Sequence, residues 1–353
     1  MNLAYYKKKP SPSSFFIGAN TPSGFVSYVN DWIKERDFYK VYILKGGPGT
    51  GKSTALHRII ENFGGESVSL LCSFDPDSLD GVILNTKMGK VAVIDGTSPH
   101  TADPQYPGAC GEIVDFGVCF NADMLMPQKK KIADLCDSKK ELCKRGYNYL
   151  SAAEEFIDIT HRISSKAYLR EKAHRCVSRL ADELCGKNSA NKKGVAVRKC
   201  TFALSSKGAV RSGGFDGAGN SILLLDYCDI TPLFLQSLAL EMCDRGENIE
   251  ISESPMGMIG EIYIPSCDTL LSPFAQGEYK TVNMKRFISP VILSESRAKL
   301  TFSRRCVNMA ITSALENFRE AGKIHGELEK IYTPAVDFSK IDRICDDYFH
   351  CLL

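Results

Sequence analysis

The chain lacks any apolar run near the roughly 18 residues that a helix needs to cross a bilayer, so no membrane-spanning helix is expected. Its opening, MNLAYYKKKPSPSSFFIGAN, has no apolar stretch behind the lysines, so a secretory signal is not expected either. There is almost no charge imbalance. Forty-four Lys and Arg face 42 Asp and Glu, a net +2, which gives no bulk field for nucleic acid or an anionic membrane. The short runs Lys7-Lys8-Lys9 and Lys129-Lys130-Lys131 read as solvated surface. Among fourteen cysteines there is no C-x-x-C pair; the closest are Cys345/Cys351 and Cys136/Cys143. That spacing argues against zinc and against a small disulfide scaffold. The cysteines read as small core hydrophobes of a reducing cytoplasm, the expected location.

What is present is a soluble-type composition, 44% apolar and 24% charged over 353 residues, with room for two domains. The most informative stretch is ILKGGPGTGKSTALHRII, residues 43–60. The apolar run Val41 to Leu44 suits a buried parallel strand. Gly46-Gly47-Pro48-Gly49-Thr50-Gly51-Lys52-Ser53 then matches G-x-x-x-x-G-K-[ST], followed by Thr54. Leu56, Ile59, Ile60 and Phe63 form the stripe of an amphipathic helix, and Gly64-Gly65 ends it. A glycine-rich turn between strand and helix is the context of a phosphate-binding P-loop. The glycines let successive N–H groups point inward at phosphate oxygens, and the helix N-terminus adds positive partial charge. Lys52 is expected on the β- and γ-phosphates and the Ser53 hydroxyl on Mg²⁺. Residues 47–54 are thus the expected ATP-binding segment.

A magnesium-side carboxylate is expected at the C-terminal end of a neighbouring strand. KVAVIDGTSPH supplies it, with Val91 to Ile94 as the strand and Asp95 at its end. A further strand is read at Ser67 to Cys72, with Asp75, Asp77 and Asp80 just past it. Asp75 is a candidate catalytic base or substrate ligand, with an Asp/Pro/Ser turn as the alternative. Asp77 and Asp80 read as turn residues. His100, in the loop after Asp95, reads as solvated, with a role at the γ-phosphate as its alternative.

The remainder reads as a second copy. FFIGANTPSGFVS resembles TFALSSKGAVRS (201–212); VYIL resembles ILLL (222–225); RIIENFGGESVSLLCSFDP resembles ALEMCDRGENIEISESP (239–255); and GKVAVIDGTSPH resembles GEIYIPSCDTLLSP (260–273). The matches keep the same order, and a helical stretch follows each copy. The polar stretch CGKNSANKKGVAVRK marks the boundary. Domains 1–190 and 191–353 are therefore expected: two tandem P-loop NTPase-like α/β/α folds, the second degenerate. After Leu225 the chain reads DYCDITPLF, where residues 226–232 hold no Gly and no Lys. Thr231 and Pro232 read as the N-cap and first residue of a helix. The stretch YIPSC has no carboxylate at the place matched to Asp95.

The order FIGANTPSG, GGPGTGKST, FDPDSLDGV, VIDGTSPH, IHGELEKIY (324–332) and AVDF (335–338) resembles an uncharacterised bacterial family of tandem P-loop ATPase-like proteins. The resemblance implies a doubled P-loop domain and ATP binding, and no particular substrate. Members can keep a P-loop in both copies; this chain departs in the second. The similarity to AAA-type ATPases is confined to the loop, since Gly96 follows Asp95 where those proteins carry Glu. Three functions stay open: a Mg²⁺-dependent ATPase or nucleotide-driven switch using the N-terminal site, with a protein partner; a kinase passing the γ-phosphate to a small-molecule or nucleotide acceptor, with Arg145, Arg162 and Arg170 as candidates; or an interaction protein stabilised by nucleotide. For an ATPase, Asp75, His100 and Glu112 are the candidate water-holding groups.

Overall fold

The computed structural model describes residues 7–8, 13–185, 192–275 and 280–352. Lys9 of the first basic run and residues 186–191 of the expected boundary lie outside them. Two six-stranded mixed sheets organise the chain, so the α/β class expected from the sequence is shown. One sheet is built from β1 (Ser14–Phe16), β2 (Lys40–Lys45), β3 (Ser67–Leu71), β4 (Leu79–Thr86), β5 (Gly89–Asp95) and β6 (Gly111–Asp115). Its spatial order is β1-β3-β4-β5-β2-β6. The other is built from β7 (Ala196–Lys199), β8 (Asn220–Leu225), β9 (Ile249–Glu253), β10 (Ile259–Ile264), β11 (Thr269–Ser272) and β12 (Lys280–Asn283). Its order, β7-β9-β10-β11-β8-β12, is the same order repeated.

The repetition extends to strand direction. In the first sheet only β4 runs against its neighbours; in the second only β10 does. Each sheet carries a register shift at the same place, between Leu70 and Leu71 on β3 and between Ser252 and Glu253 on β9. The turns at Thr21–Gly24 and Ser205–Gly208 also match. In each, a side-chain hydroxyl donates to the glycine carbonyl at 2.7 Å, and the glycine has φ +106°. These features place three of the four sequence matches on equivalent elements. The fourth is displaced by one strand: Gly260 to Ile264 lie on β10, the counterpart of β4, whereas the counterpart of β5 is β11. Pro273, just past β11, therefore stands where Asp95 stands in the first sheet. Glu261, paired with Ser252, stands where Gly81, paired with Leu70, does.

The long helices are α1 (Lys52–Asn62), α2 (Lys129–Ala167), α3 (Arg170–Cys185), α4 (Thr231–Asp244), α5 (Arg297–Tyr332) and α6 (Phe338–Phe349). No helix among the described residues is long and apolar enough to cross a membrane. At 39 residues, α2 spans about 58 Å, too long to serve one small core. The expected domains 1–190 and 191–353 follow chain order; the compact units do not. The first comprises Ser13–Tyr147, Leu204–Gly208 and Ala314–Leu353; the second comprises Met1–Pro12, Asn148–Ala203 and Ala209–Ser313. Each of α2 and α5 thus gives one half to each unit.

In the first unit, four successive residues of β2, Val41 to Leu44, are buried, as a central strand covered on both faces requires. Leu56 and Ile59 of α1 are buried over the sheet, as the helical stripe predicts. On α2, Gly146 leaves room for Phe318 of α5, where a Cβ would lie 2.5 Å from the ring. In the second unit, α3 and α4 pack through Ala173, Val177, Leu180, Leu238 and Met242. Its sheet also buries an ion pair: Glu261 and Arg211 are 0% and 1% exposed. Arg211 Nη2 lies 2.6 Å from Glu261 Oε1, and Nη1 lies 2.8 Å from Asp216 Oδ1. Thr201 and Ser272 donate their hydroxyls to Glu261, both at 2.6 Å. Removing one partner of such a pair costs far more than the pair contributes, because the other charge stays buried. Glu261→Gln should lower unfolding stability by roughly 3 kcal/mol, read by urea denaturation. An unchanged midpoint would contradict this account of the second core.

Candidate functional site

In the first unit β1, β2, β3, β5 and β6 are parallel, so their C-terminal ends share one edge of the sheet. The glycine-rich loop 46–51 leaves β2 at that edge and enters α1. Gly49 and Gly51 take φ +73° and +78°, a left-handed backbone that side chains disfavour. Thr50 is buried and donates its hydroxyl to the Gly47 carbonyl at 2.9 Å. Lys52 Nζ turns back over the loop, donating to the carbonyls of Gly46 at 2.6 Å and Gly47 at 3.0 Å, and lies 3.6 Å from Asp95 Oδ2. Ser53 Oγ accepts from Leu79 N at 2.9 Å. Pro48 is half-buried and Thr54 exposed.

Asp95 ends β5, level with Leu44 of β2. Its carboxylate accepts from the Thr97 amide at 2.8 Å and from the Thr97 hydroxyl. Burial raises its pKa, and Lys52 opposes that rise. The structure therefore brings Lys52, Ser53 and Asp95 to one edge. It does not hold Asp75 in the same way. Asp75 accepts from the Asp77 amide and pairs with Lys207 at 2.6 Å, in a partly exposed turn. Glu112 pairs with Lys40 at 2.6 Å. Arg145 is exposed, and Arg162 and Arg170 belong to the second unit.

Two residues expected as solvated or turn residues are instead buried together. Asp80 lies in β4, not in a turn, and His100 is 6% exposed. His100 Nε2 sits 3.0 Å from Asp80 Oδ2, and its Nδ1 sits 3.1 Å from Ser27 Oγ. Asp80 directly precedes Gly81, which pairs with Ile94, so Asp80 stands beside Asp95 at the loop edge. The proline and aspartates of FDPDSLDG hide this strand, because they carry a turn signal up to its first residues.

The loop is also covered by chain far away in sequence. A Cβ on Gly49 would lie 2.6 Å from Thr333 Oγ1, one on Gly47 3.1 Å from Phe120, and one on Gly51 3.6 Å from Phe338. The covering strap is held in place where Asn121 N donates to Ala335 O at 2.7 Å and Asp337 N to Cys119 O at 2.9 Å. Phe120 and Tyr332 pack ring to ring at 5.4 Å. No local sequence signal announces this contact.

The equivalent position in the second unit, between β8 and α4, is built differently. Asp226 carries out the capping expected of Thr231. Its Oδ1 accepts from the Thr231 amide at 3.0 Å and hydroxyl at 2.5 Å, and its Oδ2 from the Asp229 amide at 3.2 Å. Cys228 and Asp229 are left-handed without being glycine, at φ +62° and +58°. Arg304 donates to Asp229 Oδ2 at 2.9 and 3.1 Å. A cavity of about 780 Å³ adjoins this loop, lined by residues that include Ile157, His161, Tyr227, Leu293, Arg297 and Arg304. A carboxylate of the chain itself thus occupies the helix N-terminus where an anion would bind. Asp226→Ala should destabilise the protein by about 1 kcal/mol, the usual cost of losing a helix cap, measured by chemical denaturation. No loss would show that Asp226 does not cap α4.

Comparison of the chain with protein-family models, with curated proteins and with solved structures gives no match, so the reading of this site rests on its own residues and their geometry.

Proposed function

We propose that the first unit binds a magnesium nucleoside triphosphate, ATP by resemblance, at residues 47–54, and works as an ATPase or nucleotide-driven switch with one site per chain. The observation that carries this reading is the left-handed pair Gly49 and Gly51 in a strand-to-helix loop, with Lys52 lying between the loop carbonyls and Asp95. That loop can turn its N–H groups inward on phosphate, and Lys52 can exchange its carbonyl contacts for the β- and γ-phosphates. The tandem P-loop ATPase-like family remains the proposed relationship.

The oxygen donors fit Mg²⁺. Ser53 Oγ and the Asp95 carboxylate are hard ligands, and Mg²⁺ typically takes few protein oxygens and completes its octahedron with phosphate and water. Bound there, the ion would neutralise charge developing on the transferred phosphoryl group. Asp75 is less suited to act as base than the sequence implies, because Lys207 already pairs with it. Asp80, beside Asp95 and oriented by His100, is the better-placed group to hold an attacking water. The hydrolytic reading is preferred over the kinase reading because Asp80 offers a placed water-holding group, whereas Arg145, the candidate acceptor arginine of this unit, is exposed. The strap against Gly47, Gly49 and Gly51 would transmit loop occupancy to α5 and α6, as a switch requires.

Lys52→Ala should weaken triphosphate binding roughly tenfold to a hundredfold, the worth of a charged hydrogen bond. Isothermal titration showing unchanged affinity would remove this reading. Asp95→Asn should reduce Mg²⁺-dependent turnover much more than magnesium-free binding; equal losses in both would make Asp95 a turn residue. Asp80→Asn should leave ATP affinity near wild type and slow turnover about a hundredfold. Full turnover in that variant would return water positioning to another group.

A further inference from the structure

The candidate site holds a second cation that the glycine-rich loop does not supply. Lys139 lies on the first-unit half of α2 and His325 on the first-unit half of α5. Lys139 Nζ donates to His325 Nδ1 at 3.1 Å and lies 5.1 Å from the centroid of the Phe74 ring. Among the described residues no carboxylate comes within ion-pair distance of this lysine. Burial lowers its pKa below the ordinary lysine value. His325 is pushed down to about 4, by burial first and Lys139 second, so it is neutral near pH 7. Because Nδ1 accepts from Lys139, its proton sits on Nε2, on the side of Glu329 Oε1 at 3.7 Å.

Two proximities and one helical spacing indicate where this pair stands. The carbonyl oxygen of Glu329 lies 3.5 Å from where a Cβ on Gly49 would be. His325 is one helical turn earlier on α5, about 6 Å along the axis. Phe74 follows β3 at the loop edge of the sheet, and the turn it opens closes at Leu79, whose amide touches Ser53 Oγ. Lys139 therefore stands where α5 and the 74–79 turn meet the glycine-rich loop. A partly desolvated ammonium in contact with a ring face and a neutral imidazole nitrogen, with the Glu329 carboxylate acting on it from beyond ion-pair distance, is undercompensated. Seated on a histidine that also feels the charge of Lys52, it is a second positive group suited to an anion, and phosphate is an anion that lysine binds readily as a point charge.

We propose that Lys139, seated on His325 and Phe74, receives the terminal phosphate of the triphosphate bound at the loop. The inference rests on the nucleotide reading above and deepens it. Lys52 serves the β- and γ-phosphates together, whereas Lys139 meets only the last phosphate. It is therefore the group by which this site tells a triphosphate from a diphosphate. His325 is a positioning residue that aims the ammonium.

The test is isothermal titration of ATP and of ADP, each with Mg²⁺, into the full chain as wild type, Lys139→Met and Lys139→Arg. Wild type should bind ATP more tightly than ADP. Lys139→Met should weaken ATP binding roughly tenfold to a hundredfold, the range for one charged hydrogen bond, and leave ADP within twofold. Lys139→Arg should restore most of the preference for ATP. Wild-type affinities for both ligands in Lys139→Met overturn the inference and leave the nucleotide reading standing. Equal loss of ATP and ADP also overturns it, since that makes Lys139 a structural support. Wild type that binds neither nucleotide removes the nucleotide reading itself and this inference with it.

Discussion

The candidate site depends on one backbone constraint: the chain must turn from β2 into α1 through left-handed residues at 49 and 51. Glycine takes that conformation without cost, and the turn sets the N-terminus of α1 beside the ends of β2 and β5. The parallel arrangement of the sheet then delivers Asp95 to the same edge. The reversed strand β4 delivers Asp80 there from the opposite direction. Lys52 closes the loop from within by bonding its own carbonyls.

The second unit shows what the same topology becomes when the left-handed turn is made without glycine, by Cys228 and Asp229 at φ +62° and +58°. Strand order, strand direction and even the register shift are kept. The loop after β8 instead spends a carboxylate, Asp226, on the amide of Thr231. An internal anion at a helix N-terminus satisfies the donors that would otherwise recruit an external one. The core changes as well: Gly81 of the first sheet is matched by Glu261, which brings Arg211 and the hydroxyls of Thr201 and Ser272 into the interior. The two sheets have kept one architecture and differ in the chemistry at its loop edge.

The parts of this arrangement legible in the sequence are those written in local spacing. The strand Val41 to Leu44, the loop with Lys52 and Ser53, the stripe of α1 and the place of Asp95 each follow from a short pattern. The ordered matches between halves also located three of four equivalent elements. What the sequence concealed depends on distant pairing. Asp80 lies in a strand whose opening looks like a turn, and its partner His100 is twenty residues away. GEIYI resembles the strand of Asp95 in local pattern, although sheet pairing makes it the reversed strand. The strap over the loop and the pair Lys139–His325 come from helices whose halves belong to different compact units. Nothing in local periodicity tells which half of a long helix will meet which sheet.

The measurement that bears most directly on the account is a crystal structure of the full chain with Mg²⁺ and a non-hydrolysable ATP analogue. The account predicts one nucleotide per chain, its phosphates enclosed by residues 46–53, with Mg²⁺ between Ser53 and Asp95 and no nucleotide at residues 226–231. A second nucleotide at the Asp226 loop, or phosphates bound away from Lys52, would contradict it.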